Sequence, residues 1–301
     1  MKKYLILFLV SIFVSSMRVY PQPVRILDKE DNLIDHFAYM GDTNDVIKPF
    51  VKLTDENAFY GDLDNHLKIE TSKATYFFRK SGGGFSGLID VEGNDWISHS
   101  KSPKSAGVWR GLPNTNIIGW RPELSGTETK IIARESDKLI ISCEKNNNKC
   151  TWTFYPDHAT MTVIKADSNY YFSYEGAPNG KFDKSTNYFF RPGLGKRHFL
   201  GHPTEETDIK ALPLENWEWC YFGDTKTKRS FFLIHHEDDL IPDYYRPLEY
   251  MTVFGFGRSG NATENLAKVP QRFSIGFCKD TTYQVLSEKI KHIVLKYRTI
   301  N

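Results

Sequence analysis

What most constrains the fold of this chain is a succession of short apolar runs broken by turn residues. Runs rich in Val, Ile, Thr, Tyr, Phe and Trp occupy residues 68–78, 85–91, 96–99, 129–135, 138–144, 150–155, 159–166, 169–175, 217–224, 229–236, 250–258 and 271–277. Clusters of Gly, Asn, Asp or Pro separate them, among them Gly82-Gly83-Gly84 and Glu92-Gly93-Asn94-Asp95. β-Branched and aromatic residues suit a pleated, half-buried surface, so each run is expected to be a strand. No helical period falls between the runs, which argues against an α/β fold and for a large antiparallel β-sandwich. The absence of a fixed-period repeat argues against a propeller. One segment departs from the pattern. Leu286, Ile290, Ile293, Val294 and Tyr297 share one face at helical spacing, after a capping box formed by Thr281 and Gln284. The expected fold is therefore all-β, a sandwich over residues 61–280 carrying a short C-terminal helix over 281–301.

The amino terminus reads as an address. Lys2 and Lys3 precede an apolar stretch from Tyr4 to Val14, and small or tolerated residues follow to Ser16. That is the layout of a secretory signal peptide over residues 1–16, too short to span a bilayer as a helix. Removing it takes two lysines and no acid, leaving 37 basic and 37 acidic side chains. Such a balance carries no basic excess for nucleic acid, and no later segment is long and apolar enough to span a membrane. A periplasmic or secreted location is expected. Residues 17–60, with Asp42, Asp45 and Asp55-Glu56-Asn57, read as an irregular leader.

Export permits disulfides. Cys143 and Cys150 flank a polar turn and could face each other on a hairpin, either bridged or as thiols, whereas Cys220 and Cys278 read as buried thiols. No ligand spacing for zinc is present, so no metal residue is assigned and no cofactor is expected. Calcium has weak candidates in Glu237-Asp238-Asp239, Asp62 with Asp64, and Asp42 with Asp45, where solvated turns are the simpler reading.

Four stretches hold groups suited to chemistry. His235 and His236 end a strand just before an acidic turn, with Tyr244 and Tyr245 downstream. Neighbouring strand residues point to opposite faces, so one histidine is expected on an open surface, where it could exchange a proton near neutral pH. Trp109 and Arg110 lie between glycines, and Trp120 and Arg121 follow. An aromatic ring can stack on a pyranose while a guanidinium grips hydroxyls or a carboxylate. Glu175 sits at a strand end before a Gly/Pro/Asn turn. Thr252, Phe254, Phe256 and Arg258 are expected on one strand face, with Gly255 and Gly257 permitting close approach on the other.

In the stretches 82–98, 106–114, 170–180 and 251–258 the chain resembles secreted members of the galactose-mutarotase-like supersandwich superfamily, found in polysaccharide-utilising bacteria. The resemblance spans residues 61–280 and implies sugar binding on a concave sheet face. It fixes no catalytic residue, because the superfamily includes epimerases, glycosidases, lyases and non-catalytic modules. The expected function is a carbohydrate-active enzyme whose partner is a poly- or oligosaccharide, with β-elimination on a uronate as the leading reaction. There His235 or His236 would be the base, Tyr244 or Tyr245 the acid, and Arg110 or Arg258 the cation at the carboxylate, with Trp109 and Trp120 as stacking residues. The alternatives are hydrolysis by Glu175 with Glu237, Asp238 or Asp239, and a carbohydrate-binding module without catalysis.

Overall fold

Alternate apolar residues of the core strands meet between two sheets, and a helix packs on one outer face. The computed structural model describes residues 48–61, 63–100, 107–119, 125–192, 197–200, 208–209, 217–237, 239, 241–258 and 265–298. The signal segment, Asp42, Asp45, Asp62, Trp120, Arg121 and Asp238 lie outside the described residues.

Within one sheet the order is β1 (Val51–Tyr60), β2 (Leu63–Thr71), β3 (Ala74–Arg79), β4 (Gly84–Asp90), β5 (Gly111–Asn114), β10 (Phe172–Gly176), β17 (Thr252–Phe256), β16 (Asp243–Pro247) and β13 (Asp208–Ile209). Within the other it is β12 (His198–Phe199), β11 (Asn187–Phe190), β14 (Glu218–Asp224), β15 (Ser230–His235), β18 (Gln271–Cys278), β9 (His158–Lys165), β8 (Asn148–Phe154), β7 (Leu139–Lys145) and β6 (Glu128–Arg134). The registered strand pairs are antiparallel. β1 is a correction to the expectation of an irregular leader. Its alternation is weak, with mostly polar residues between Val51 and Ala58, because it is an edge strand with much of its surface in solvent.

The core lies between the sheets. Tyr76, Phe78, Phe172, Tyr174, Phe254 and Phe256 from the first sheet meet Trp152, Phe154, Phe222, Phe231, Leu233 and Phe273 from the second. Phe172 stacks on Phe273 with ring centres 4.5 Å apart. The intervening residues of the second sheet, Trp219, Tyr221, Phe232 and Ile234, point the other way. They are covered by α1 (Tyr283–Arg298) through Leu286, Ile290, Ile293 and Val294. The helix therefore starts two residues beyond Thr281 and buries the stripe its spacing predicted. It is not long and apolar enough to cross a membrane.

The four cysteines are thiols. Cys143 stands directly opposite Cys150 across the β7–β8 hairpin. Cys220 faces the inter-sheet core and Cys278 the helix side.

Candidate functional site

With one outer face covered by the helix, the outer face of the first sheet is where polar side chains gather. On β10 the alternation that points Phe172 and Tyr174 into the core turns Ser173 and Glu175 the other way, as it does Tyr171 just before the strand. Register then sets their neighbours: Ser173 lies opposite Gly255 on β17 and Asn114 on β5, and Glu175 opposite Val253. Tyr244 of β16 is opposite Gly255 from the far side.

Arg258 joins this face by a route the strand pattern did not foretell. It was expected beside Phe254 and Phe256, which point into the core. The strand ends at Phe256, and Gly257 takes a positive φ of 59°, which turns the chain before Arg258. The side chain then folds back across Gly255, where an added Cβ would lie 3.0 Å from the Cβ of Arg258 and 3.1 Å from its Cδ. Its guanidinium ends up between the rings of Tyr171 and Tyr244, 4.9 and 5.4 Å from their centres. Its Nη1 donates to Ser173 Oγ at 3.2 Å and lies 3.4 Å from Glu175 Oε1. The Arg258 side chain keeps 23% exposure while that of Glu175 keeps 3%.

Trp109 and Arg110 immediately precede β5, whose Gly111 is registered with Glu175. Trp109 is exposed, and its carbonyl accepts from Asn114 Nδ2 at 3.4 Å. Arg110 is nearly buried and donates to the carbonyls of Ser98, at 2.9 Å, and of Tyr250. Burial pulls its pKa below the usual arginine range. Arg110 thus ties two loops together, one of which carries the exposed ring of Tyr250. Farther across the face, His66 Nε2 and Ser86 Oγ are 2.7 Å apart and both residues are buried.

The histidines expected as bases are elsewhere. His235 has the parity of Phe231 and Leu233 and points between the sheets, stacked on Phe273 at 4.8 Å. His236 points to the helix side, with Nε2 2.7 Å from Ser274 Oγ and its ring 5.0 Å from that of Tyr297. Both are buried, so the open imidazole the strand pattern led us to expect is not there. Tyr245 also points inward and stacks on Phe189 at 4.4 Å. The carboxylates expected to pair in a hydrolase are split as well. Glu175 is on the outer face of the first sheet. Glu237 is bound to Arg272 at 2.7 Å, beside the helix residue Tyr297, and Asp239 is 3.5 Å from His235.

Around His235 is a second polar cluster. Four adjacent strands or strand ends send one polar residue each between the sheets at the same end: Arg191 after β11, Glu218 of β14, His235 of β15 and Gln271 of β18. Asp243 of β16 comes from the opposite sheet. Arg191 pairs with Glu218 at 2.9 Å and with Asp243 at 2.7 Å. Burial pushes the Asp243 carboxyl up to about 7, against the pull of Arg191. Burial alone would lower the pKa of His235, but the hydrogen bond to Glu218 and its charge outweigh that and raise it. Among the described residues, Glu218, His235 and Asp239 are the group whose donor atoms could converge on a metal. Glu218, Arg191, Gln271 and Asp243 escaped sequence reasoning. The signal that could have found three of them is polar residues in phase with buried apolar ones, as Glu218 is with Cys220 and Phe222.

No protein-family model matches the sequence, and no curated protein matches it significantly. Among solved structures, the one titled "Crystal Structure Analysis of HI1317" aligns with a TM-score of 0.50 at 12% identity, covering 77% of this chain and all of that one. A galactose mutarotase related enzyme from Lactobacillus acidophilus aligns with a TM-score of 0.43 at 10% identity, over 72% of this chain and 98% of its own. At 12% identity the HI1317 likeness shows a shared fold and assigns no residue a role.

Proposed function

We propose that this protein is an exported carbohydrate-active protein that holds a uronate-bearing glycan on the outer face of the first sheet and cleaves it by β-elimination. The observation that carries the reading is Arg258, a partly exposed guanidinium set between two tyrosine rings and footed on Ser173 and Glu175. A stacked arginine is held in one orientation and presents its remaining N–H groups as a planar fork, which matches a carboxylate. Trp109 and Tyr250 supply exposed rings on which pyranose faces can stack.

In this reading Arg258 neutralises the charge that builds on the uronate carboxylate as the C5 proton leaves. Glu175 accepts that proton, the C4–O bond breaks as the C4–C5 double bond forms, and the Tyr244 phenol protonates the departing oxygen. His235, His236 and Tyr245 take no part. Incubation with a panel of uronate polymers should raise the ultraviolet absorbance of an unsaturated uronate product. Tyr244→Phe should slow that rise by about 100-fold or more.

A second reading, binding without turnover, is favoured by the 2% exposure of Glu175, which is low for a base that must meet substrate. It predicts glycan binding that depends on Arg258 with no product on any polymer of the panel. A panel that is neither bound nor cleaved would contradict both.

A further inference from the structure

The cluster around His235 carries an inference that is independent of the glycan face. Gln271 Oε1 faces His235 Nε2 in a short hydrogen bond. An amide oxygen only accepts, so the ring proton is at Nε2 and the other nitrogen is left to face its neighbours. That nitrogen, Nδ1, is 3.2 Å from Glu218 Oε2 and 3.5 Å from Asp239 Oδ2. In a neutral imidazole Nδ1 is a lone pair, so three electron-rich atoms converge on one point inside the protein. A positive centre at that point, either a proton or a metal ion, would be met by all three.

Three observations favour the metal. A tetrahedral cation with bonds of about 2.0–2.2 Å separates its ligand atoms by about 3.3–3.6 Å, and the two separations from Nδ1 fall close to that. The atoms of the ligands that would not bind metal are already fixed: Arg191 Nη2 holds Glu218 Oε1 at 2.9 Å, and Gln271 holds the far nitrogen of the ring. Such outer partners orient metal ligands and set the tautomer. The cluster is also acidic at its base, since Glu218 and Asp243 share the single guanidinium of Arg191.

We propose that Glu218, His235 and Asp239 form a site for one first-row divalent cation of the zinc class, with Gln271 and Arg191 as positioning residues. One imidazole and two carboxylates, without a thiolate, suit zinc or a similar borderline ion and leave a fourth position for water. The cation would fasten the turn that carries Asp239 to the ends of β14 and β15.

The test uses the full chain, freed of metal by chelation and titrated with zinc chloride and with cobalt(II) near neutral pH. Wild type should take up one equivalent of zinc, and cobalt should give the intense visible bands of tetrahedral coordination. Asp239→Asn and Glu218→Gln should weaken zinc uptake by more than about 100-fold, and Gln271→Ala by about 10–100-fold. Zinc should raise the thermal midpoint of wild type and leave that of Asp239→Asn unchanged. Asp239 has the most exposed side chain of the three, so its variant disturbs packing least. No stoichiometric uptake by wild type would overturn the proposal, as would uptake that Asp239→Asn leaves intact. Either result would mean that His235 carries a proton between its two carboxylates.

Discussion

Arg258 reaches Glu175 by folding back over Gly255, so that Nη1 and Oε1 stand 3.4 Å apart on the face of the sheet opposite to Phe254 and Phe256. Glu175 is deep and Arg258 partly open, which makes the arginine the group a ligand meets first. Arg258→Ala removes a cation that stands 3.4 Å from a nearly buried carboxylate. It should cost about 1–3 kcal/mol in stability, read by urea denaturation, and Glu175→Gln in the same chain should recover part of that loss.

Gly255 offers a gentler probe. An added methyl would meet Arg258 Cβ at 3.0 Å and Ser173 Oγ at 3.3 Å, while the core side of the strand is untouched. Gly255→Ala should therefore displace the arginine and weaken glycan binding with little loss of stability. Binding equal to wild type would show that the arginine's position is not used.

The helix is held by a narrow apolar stripe. Ile290 is 1% exposed against the outer face of the second sheet, and Ile290→Ala should destabilise by about 2–4 kcal/mol from lost burial and the cavity left behind. Chemical denaturation measures this directly, and a change below about 0.5 kcal/mol would contradict the packing described.

His158 is one group through which acid should act, alongside the buried His236, whose pKa burial also depresses. Burial depresses the His158 pKa below the ordinary value, against the charge of the adjacent Asp157, whose Oδ1 is 2.7 Å from Nδ1. Lys289 and Lys296 of the helix add to the depression. The unfolded chain binds the proton more readily than the folded one. The contribution to stability is therefore present above about pH 6.5 and is lost as pH falls below it. His158→Gln should flatten the decline of the urea midpoint between neutral pH and about pH 5, and an unchanged decline would assign the acid response to other groups.

Thiol placement gives a check on topology. Cys143 and Cys150 oppose each other across a hairpin, whereas Cys220 and Cys278 face opposite sides of the second sheet. Mass spectrometry of native protein exposed to oxidant should find no peptide linking Cys220 to Cys278. Such a link would contradict the register of β14 with β15 and of β15 with β18.

Much of the sandwich is legible in the sequence, because β-rich runs and turn clusters report strands directly. The terminal helix is legible too, since Leu286, Ile290, Ile293 and Val294 recur at its period. β1 is not, because an edge strand needs little apolar alternation. The site is legible only in part. Glu175 at a strand end and Trp109 on a loop could be picked out from strand ends and loop composition, whereas nothing in the sequence separates Tyr244 from Tyr245. Strand alternation puts Arg258 on the face of Phe254 and Phe256, and that alternation fails at the positive φ of Gly257. His235 and His236 attracted a catalytic reading as a titratable pair, yet one strand sends them to two buried layers. The partners of His235 come from β11, β14, β16 and β18, far apart in the chain, and only the sheet order unites them.

Affinity electrophoresis through gels carrying uronate polymers, run with wild type and Arg258→Ala side by side, tests the glycan face most directly. The account predicts retardation of wild type by at least one acidic polymer, which Arg258→Ala loses while still folded by its circular dichroism. Equal retardation of both proteins, or retardation by neutral polymers alone, would contradict it.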